Sequence, residues 1–198
     1  MIREQRDYFE KLYSEHGNSV ESLGWNKESQ KQRFDVLSKI GNFNGASILD
    51  VGCGFGDFLS YLKRRDILPY KYVGIDLISE FIARAAEMHP GTSFYNKDVL
   101  SFGNNDSSYG YVVGSGLFFL DTEDWYKYVL DVADKMFHLC NIGIGINFLS
   151  QYNIIRPVEG RAYCNPGSVL QMLMDHISIK AILYHDYREN DFTVFLYK

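Results

Sequence analysis

The stretch ILDVGCGFGDF, residues 48–58, decides the fold of this chain. Its first residues belong to an apolar run that is typical of a strand buried on both faces. Gly52, Gly54 and Gly56 follow, and apolar side chains then recur at helical spacing over residues 55–62. A strand, a glycine turn and a helix in direct succession predict the first unit of an open α/β sheet, with a turn where the backbone can approach a ligand closely.

The same alternation continues from this unit to the end of the chain. Apolar runs predict six further strands, at residues 72–75, 92–95, 109–115, 142–148, 177–184 and 191–197. Residues 188–190 form a turn between the last two strands, which must therefore be antiparallel. The sequence predicts an α/β fold with a doubly wound, mostly parallel, seven-stranded sheet that ends in a C-terminal antiparallel hairpin.

Residues 1–45 differ from the remainder, because they are polar and carry two helical patterns, at about 3–15 and 27–40. We expect them to form a helical N-terminal lid on a main domain of residues 46–198. The whole chain has 198 residues, which is the size of one ordinary domain with a short extension.

Composition restricts the partners and the compartment. The net charge is -5, so duplex nucleic acid and anionic membranes are not expected partners. The three cysteines are widely spaced and contain no C-x-x-C pair, which favours free thiols in a reducing compartment. Neither a secretory signal nor an apolar run of about 20 residues is present, and we expect a cytoplasmic protein.

The spacing of the glycines indicates the kind of ligand. It is G-x-G-x-G rather than the G-x-G-x-x-G of dinucleotide sites, and no Lys-Ser/Thr pair follows. A ligand without phosphates is therefore favoured. Asp50, Asp76 and Asp98 stand at or just after three successive strands. Each acid alone could be a helix cap or a solvated strand end, but three in this arrangement indicate a binding site.

With these motifs, residues 46–198 resemble the class I S-adenosylmethionine-dependent methyltransferases. The resemblance implies a Rossmann-like domain and S-adenosyl-L-methionine as its cofactor. In that family the glycine loop accommodates the methionine half of the cofactor. The matching positions here are Asp50, Gly52, Cys53, Gly54 and Gly56.

The resemblance also assigns the rest of the cofactor. Asp76 holds the place of the family's ribose ligand, and Leu77 beside it would pack against adenine. Asp98 matches the contact to the adenine amino group, and the Val99 backbone N–H would meet a ring nitrogen. Ser115 lies in the segment after the fourth strand that flanks the methionyl group.

Two regions are candidates for the acceptor side. Residues 150–165 follow the fifth strand, where the family shapes its acceptor pocket, and they supply Tyr152, Arg156 and Arg161. Arginines in an acidic protein suggest an anionic acceptor, although a solvated loop explains them equally well. Trp25 and Arg33 of the N-terminal segment are the corresponding lid candidates.

His185, at the end of the sixth predicted strand, is the candidate general base, with a purely structural histidine as the alternative. The segment after the fourth strand lacks the Asn/Asp-Pro-Pro-Tyr/Phe signature of amino methylators and the clustered metal ligands of catechol methylators. We therefore expect no metal, and methyl transfer to an oxygen. The C-terminal stretch, residues 184–198, resembles small bacterial methyltransferases of surface-polysaccharide or natural-product pathways. This resemblance implies a small sugar, natural product or surface-polysaccharide precursor as the acceptor.

Two alternatives remain beside this expectation. The chain could bind the cofactor and catalyse nothing. It could also be a nicotinamide-dependent oxidoreductase, which shares the fold but is disfavoured by the glycine spacing and by the lack of a Tyr-x-x-x-Lys pair in a central helix.

Overall fold

A computed structural model describes residues 2–24, 26–103, 109–152 and 157–198. The strands are β1 Ser47–Val51, β2 Lys71–Asp76, β3 Ser93–Asn96, β4 Tyr109–Gly114, β5 Cys140–Ser150, β6 Tyr163–Cys164, β7 Ala181–Arg188 and β8 Asp191–Tyr197. The helices are α1 Ile2–His16, α2 Lys27–Leu37, α3 Asp57–Lys63, α4 Ser79–Met88, α5 Trp125–Leu139 and α6 Pro166–His176. No helix within these described ranges is both long enough and apolar enough to cross a bilayer.

The strands form one sheet in the order β3-β2-β1-β4-β5-β8-β7, and β6 pairs with β5 off this path. Neighbours among β1 to β5 are parallel, whereas β8 is antiparallel to both β5 and β7. The predicted doubly wound α/β sheet with its closing hairpin is confirmed. The eighth strand is β6, whose two residues are too few to produce an apolar run in the sequence.

The largest error in the predicted boundaries concerns β7, which covers Ala181–Arg188 instead of 177–184. Residues Ile177 and Ser178 instead close the end of α6, where their backbone N–H groups donate to the Leu173 carbonyl. Residues 177–184 form an apolar run with β-branched side chains, which is typical of a strand. The sequence therefore does not show that the first residues of this run end a helix. As a result, His185 lies inside the strand rather than at its end.

Each face of the sheet is covered by helices. Leu49 and its neighbour Ile48 are fully buried on opposite faces of β1, because successive strand residues point to opposite sides. Helices α5 and α6 cover the Leu49 face. Helices α2 and α3 cover the Ile48 face, where Phe34 and Phe58 pack with ring centroids 5.1 Å apart.

The register brings several strand ends to one edge. Val51, the last residue of β1, pairs with Ile75 on one side and with Gly114 on the other. The chain leaves β1 toward β2 and β3 first and returns to β4 later, so the strand order reverses between β1 and β4. Open α/β sheets bind ligands outside the carboxyl ends of the strands at such a reversal.

Helix α1 lies across this edge. Phe9 packs against Phe81 of α4 and Phe119, with ring centroids 6.0 and 5.4 Å apart. Tyr13 also packs against Phe81, at 5.8 Å. These contacts join the N-terminal segment to elements far along the chain and place it over the ends of the strands.

Candidate functional site

A cleft lies at the carboxyl ends of β1, β2 and β4, below α1. Nine of the ten residues predicted to bind the cofactor line it: Asp50, Gly52, Cys53, Gly54, Asp76, Leu77, Asp98, Val99 and Ser115. These residues come from four separate segments of the sequence. The parallel sheet assembles them because it brings the carboxyl ends of its strands to one edge.

The glycine loop is held against the end of β2. The N–H groups of Gly52 and Cys53 both donate to the Ile75 carbonyl, at 2.8 and 3.0 Å. Gly54 has a φ of 53°, in the left-handed region that favours glycine. A Cβ at this position would lie 2.8 Å from Leu23 Cδ2, so the loop has no room for a side chain here.

Asp76, at the end of β2, anchors the same loop. Its Oδ2 accepts a hydrogen bond from Gly54 N at 2.9 Å, and its Oδ1 accepts one from Ile78 N at 3.0 Å. A carboxylate can accept about four hydrogen bonds, so two acceptor positions remain for a ligand in the cleft. Burial raises the pKa of Asp76 to about 6, against the opposing effect of these backbone N–H groups.

Asp50 is the second acid of the cleft. Its side chain is almost fully buried within β1 and accepts a hydrogen bond from the Tyr72 hydroxyl. Desolvation raises the pKa of Asp50 to about 7, although the Tyr72 hydrogen bond favours the charged form, and the nearby charge of Asp76 adds to the rise. The cleft therefore contains two carboxyl groups that a cationic ligand would help to ionise.

Asp98 has a local structural function as well as a place in the cleft. Its Oδ1 accepts a hydrogen bond from Leu100 N at 3.1 Å and so caps the short 3₁₀ turn Val99–Ser101. Tyr128 of α5 lines the cleft close by. Burial first, and then the charge of Asp98, raise the pKa of Tyr128 to about 12, so this hydroxyl is a donor rather than a base at neutral pH.

Gly56 is the predicted cofactor residue that does not line the cleft. It precedes α3 with a φ of 77°, and a Cβ there would lie 2.8 Å from His89 Cδ2. The geometry therefore explains this glycine by the packing of His89 against the turn. The interpretation of Gly56 as a cofactor contact has no support in its position.

The motif-based prediction missed Gln5, which reaches the cleft from α1. Its Nε2 donates to the Leu117 carbonyl at 3.1 Å, and its Oε1 accepts from the Tyr128 hydroxyl at 3.2 Å. Leu23, Gln30 and Tyr128 also line the cleft without having been predicted. No motif marks them, because each comes from a helix or turn whose position depends on packing.

His185, the predicted base, is not among the residues that line the cleft. Its ring lies between Tyr152 and Phe192, with centroids 6.0 and 6.1 Å away. Its Nε2 is buried and has no hydrogen-bond partner among the described residues. Strand β7 lies two strands beyond β5, or roughly 10 Å, which separates this histidine from the cleft.

The predicted acceptor residues are also outside the lining of the cleft. Tyr152 is half exposed, and its hydroxyl accepts a hydrogen bond from Asn165. Arg161 packs its guanidinium on Phe119, 4.4 Å from the ring centroid, and donates to the Tyr8 hydroxyl at 2.8 Å. It thus connects the segment after β5 to α1, rather than pointing at a ligand.

Arg33 is buried and forms an ion pair with Asp191 of β8, with Nη2 to Oδ1 at 2.8 Å. Arg33 was expected to face the acceptor as part of the lid, but this buried ion pair instead links α2 to the sheet. Trp25 and Arg156 lie outside the described residues. Across the described ranges, no group of three or more His, Cys, Asp or Glu side chains is arranged to hold a metal ion.

The sheet order, the glycine loop and the acid at the end of β2 define a Rossmann-like methyltransferase. A family profile described as "Methyltransferase domain" matches residues 48–136. The protein named "Putative methyltransferase Rv1506c" of Mycobacterium tuberculosis (strain ATCC 25618 / H37Rv) is 30% identical over 158 residues, which are 77% of this chain and 93% of that protein. The chain belongs to the class I S-adenosylmethionine-dependent methyltransferases.

Solved structures share the fold along almost the whole chain. Magnesium protoporphyrin IX methyltransferase from Synechocystis PCC 6803, solved with bound SAH, has a TM-score of 0.69 at 14% identity and covers 100% of this chain and 99% of its own. The N-methyltransferase NodS from Bradyrhizobium japonicum WM9 has a TM-score of 0.68 at 16% identity, covering 98% and 97%.

The cofactor of this protein is S-adenosyl-L-methionine, and the cleft has the features to hold it. The glycine loop lets the backbone approach a ligand, and Asp76 has acceptor positions for two hydroxyl groups. Asp50 and Asp76 offer negative charge to a cationic ligand.

Proposed function

We propose that this protein transfers the methyl group of S-adenosyl-L-methionine to an oxygen of a small molecule, such as a sugar, a natural product or a surface-polysaccharide precursor. The observation that carries the proposal is the position of α1 over the cleft, where Gln5 and Phe9 form part of its lining. A cleft covered in this way can admit a small acceptor, whereas a polymer or a folded protein would need an open surface.

The proposed cofactor contacts follow from the lining of the cleft. Asp76 accepts hydrogen bonds from the two ribose hydroxyls, and Leu77 packs against the adenine. Asp98 receives the adenine amino group, and the Val99 N–H meets a ring nitrogen. The glycine loop takes the methionine half. When bound, the cofactor supplies an activated methyl group, and the work of the chain is to orient the reactants and exclude water.

Two further lines support a small acceptor and an oxygen. Magnesium protoporphyrin IX methyltransferase, which shares the fold, has a name that describes methylation of a small molecule, whereas the name of the N-methyltransferase NodS shows that the same fold also serves nitrogen. The segment after β4 in this chain, residues 115–120, lacks the signature of amino methylators. This favours an oxygen here.

We also propose that the protein works in the cytoplasm and has no duplex nucleic acid as a partner. Its net charge of -5 supports the second statement. The three cysteines are free and buried, and burial raises the pKa of each thiol. Buried thiols with a raised pKa are unreactive. Free cysteines without disulfide bonds are typical of a reducing compartment such as the cytoplasm.

Residues 1–45 act as a lid in this proposal, and Gln5 is the residue that links α1 to the far wall of the cleft. Gln5→Ala removes two hydrogen bonds, worth about 1 kcal/mol each, and should speed release of S-adenosylhomocysteine by roughly 30-fold if both must break for release. Stopped-flow fluorescence measures this rate. Arg6→Ala, on the exposed side of α1, is the matched control, and equal rates for both variants would contradict the lid.

The direct test of the function uses cofactor with an isotopically labelled methyl group and a panel of hydroxylated and amino small molecules. We expect label on oxygen, together with micromolar binding of S-adenosylhomocysteine by calorimetry. Label on nitrogen alone would contradict the choice of oxygen. Cofactor binding without transfer to any acceptor would favour a catalytically silent protein, and tighter binding of NAD would favour an oxidoreductase.

A further inference from the structure

A hydrogen-bonded pair, Gln30 and Asp57, contributes to the lining of the cofactor cleft. Gln30 lies near the start of α2, and Asp57 is the first residue of α3, directly after the glycine loop. The Gln30 Nε2 donates to Asp57 Oδ2 at 2.9 Å, and both side chains are partly buried. Both residues line the cleft, although neither belongs to the glycine motif or to the acids at the strand ends.

The sheet order separates this pair from the acids that were assigned to the adenosine part of the cofactor. Asp76 ends β2 and Asp98 follows β3, on one side of β1. Helix α2 packs instead against β5 and β8, which lie on the other side of β1, beyond β4. A cofactor whose ribose lies at Asp76 would therefore extend its methionine half across the glycine loop toward Gln30 and Asp57.

The charges of the cleft differ between its two ends. Within the described part of the chain, Lys97 is the one basic residue of the lining, and it follows β3, where its backbone N–H donates to the Asp76 carbonyl. The neighbours of the Gln30–Asp57 pair in the lining include the aromatic Phe34 and Phe58. At this end of the described cleft, an ammonium group would therefore meet a carboxylate, whereas a carboxylate would meet no basic side chain.

Asp57 is better suited to an ammonium group than Asp50, the other acid beside the glycine loop. Asp50 is almost fully buried, accepts a hydrogen bond from the Tyr72 hydroxyl, and has a pKa that burial raises to about 7. Asp57 is more exposed and accepts a hydrogen bond from the neutral amide of Gln30. A carboxylate can accept about four hydrogen bonds, so Asp57 keeps acceptor positions for an ammonium group.

We propose that Asp57, held in place by Gln30, binds the α-ammonium group of S-adenosyl-L-methionine, and that the cleft recognises the amino acid end of the cofactor through this ammonium rather than through the carboxylate. Hydrogen bonds between ionised groups are roughly twice as strong as neutral ones. The amide of Gln30 orients the Asp57 carboxylate without cancelling its charge. The proposal rests on the proposed function, in which the ribose lies at Asp76 and the methionine half at the glycine loop.

The test compares two thioadenosines that each keep one charged group of S-adenosylhomocysteine. Aminopropyl-thioadenosine lacks the carboxylate, and carboxypropyl-thioadenosine lacks the ammonium group. Calorimetry at neutral pH should show binding of the aminopropyl compound that is tighter by about tenfold or more. Equal affinities, or tighter binding of the carboxypropyl compound, would overturn the proposal. Because this comparison uses the unaltered protein, it does not depend on whether a variant folds.

Asp57→Asn then tests the assignment to one side chain. Asparagine keeps an acceptor for Gln30 Nε2 but removes the charge, so the affinity for aminopropyl-thioadenosine should fall by about tenfold or more. The affinity for methylthioadenosine, which lacks both charged groups, should stay unchanged. Asp175→Asn is the matched control, because this acid accepts a hydrogen bond from Gln171 on the exposed side of α6. An equal loss for both compounds in Asp57→Asn would refute the assignment, since the residue would then only support the glycine loop.

The two proposals fail in different ways. If neither S-adenosylhomocysteine nor methylthioadenosine binds, the proposed function is contradicted. If both bind and the aminopropyl compound has no advantage over the carboxypropyl compound, only the recognition of the ammonium group by Asp57 is contradicted.

Discussion

Replacement of Asp76 by alanine tests where the cleft holds the ribose of the cofactor. The carboxylate already accepts hydrogen bonds from Gly54 N and Ile78 N, and two of its acceptor positions remain for the two ribose hydroxyls. Hydrogen bonds to a charged group contribute about 1.5–3 kcal/mol each. Taking the lower figure for both gives about 3 kcal/mol, which corresponds to a loss of affinity of roughly 100-fold.

The assay is calorimetric titration of S-adenosylhomocysteine into the wild-type protein and the variants. Asp76→Asn should have an intermediate effect, because it keeps the size and one acceptor oxygen but loses the charge. Asp131→Ala removes an acid from the exposed face of α5, where it pairs with Lys127, and should leave the affinity unchanged. Thermal unfolding of each variant measures separately how much stability is lost with the hydrogen bonds from Gly54 N and Ile78 N.

One outcome would refute the reasoning. If Asp76→Ala lowers the melting temperature but binds S-adenosylhomocysteine with nearly the wild-type affinity, then the carboxylate only supports the glycine loop, and the ribose lies elsewhere in the cleft.

Three other changes test separate parts of the site. Because burial raises the pKa of Asp50 to about 7, its contribution to apo stability is present at low pH and is lost as the pH rises through 7. Asp50→Asn should therefore be more stable than wild type at pH 8, by up to about 4 kcal/mol, with a gap that closes toward pH 4; a gap independent of pH in urea unfolding would contradict this. Gly54→Val should abolish cofactor binding, because its side chain would meet Leu23, whereas Gly103→Val, where a Cβ meets nothing within 4 Å, should bind normally. His185→Gln should leave turnover unchanged because this residue is outside the cleft lining; a tenfold loss with an altered pH profile would restore its assignment as the base.

The candidate site was predictable from the sequence where it depends on strand ends. Asp50 and Asp76 and the glycines between them lie within short distances along the chain, in a strand-turn-helix pattern with few possible conformations. Once the strands are parallel, their carboxyl ends must share one edge, so the approach of Asp98 to this group follows as well.

The acceptor side could not be predicted in the same way. Arg161 and Arg33 were suitable candidates by residue type and position along the chain, but the first packs on Phe119 and the second pairs with Asp191. His185 was predicted on the assumption that its strand ended at Tyr184. A shift of four residues in the start of that strand placed it in a different environment.

The amino-acid sequence by itself determined the order of strands and helices, the glycine loop and the acids that follow the strands, because each of these depends on patterns within a few residues. The tertiary structure alone decided how Gln5 reaches Leu117, 112 positions along the chain, and how Arg33 reaches Asp191, 158 positions away. Such contacts depend on how helices pack against the sheet, and many sequences with the same periodicity would pack differently. The position of α1 over the cleft and the buried Arg33–Asp191 ion pair are therefore properties of the folded molecule, formed by side chains that carry no local signal of their partners.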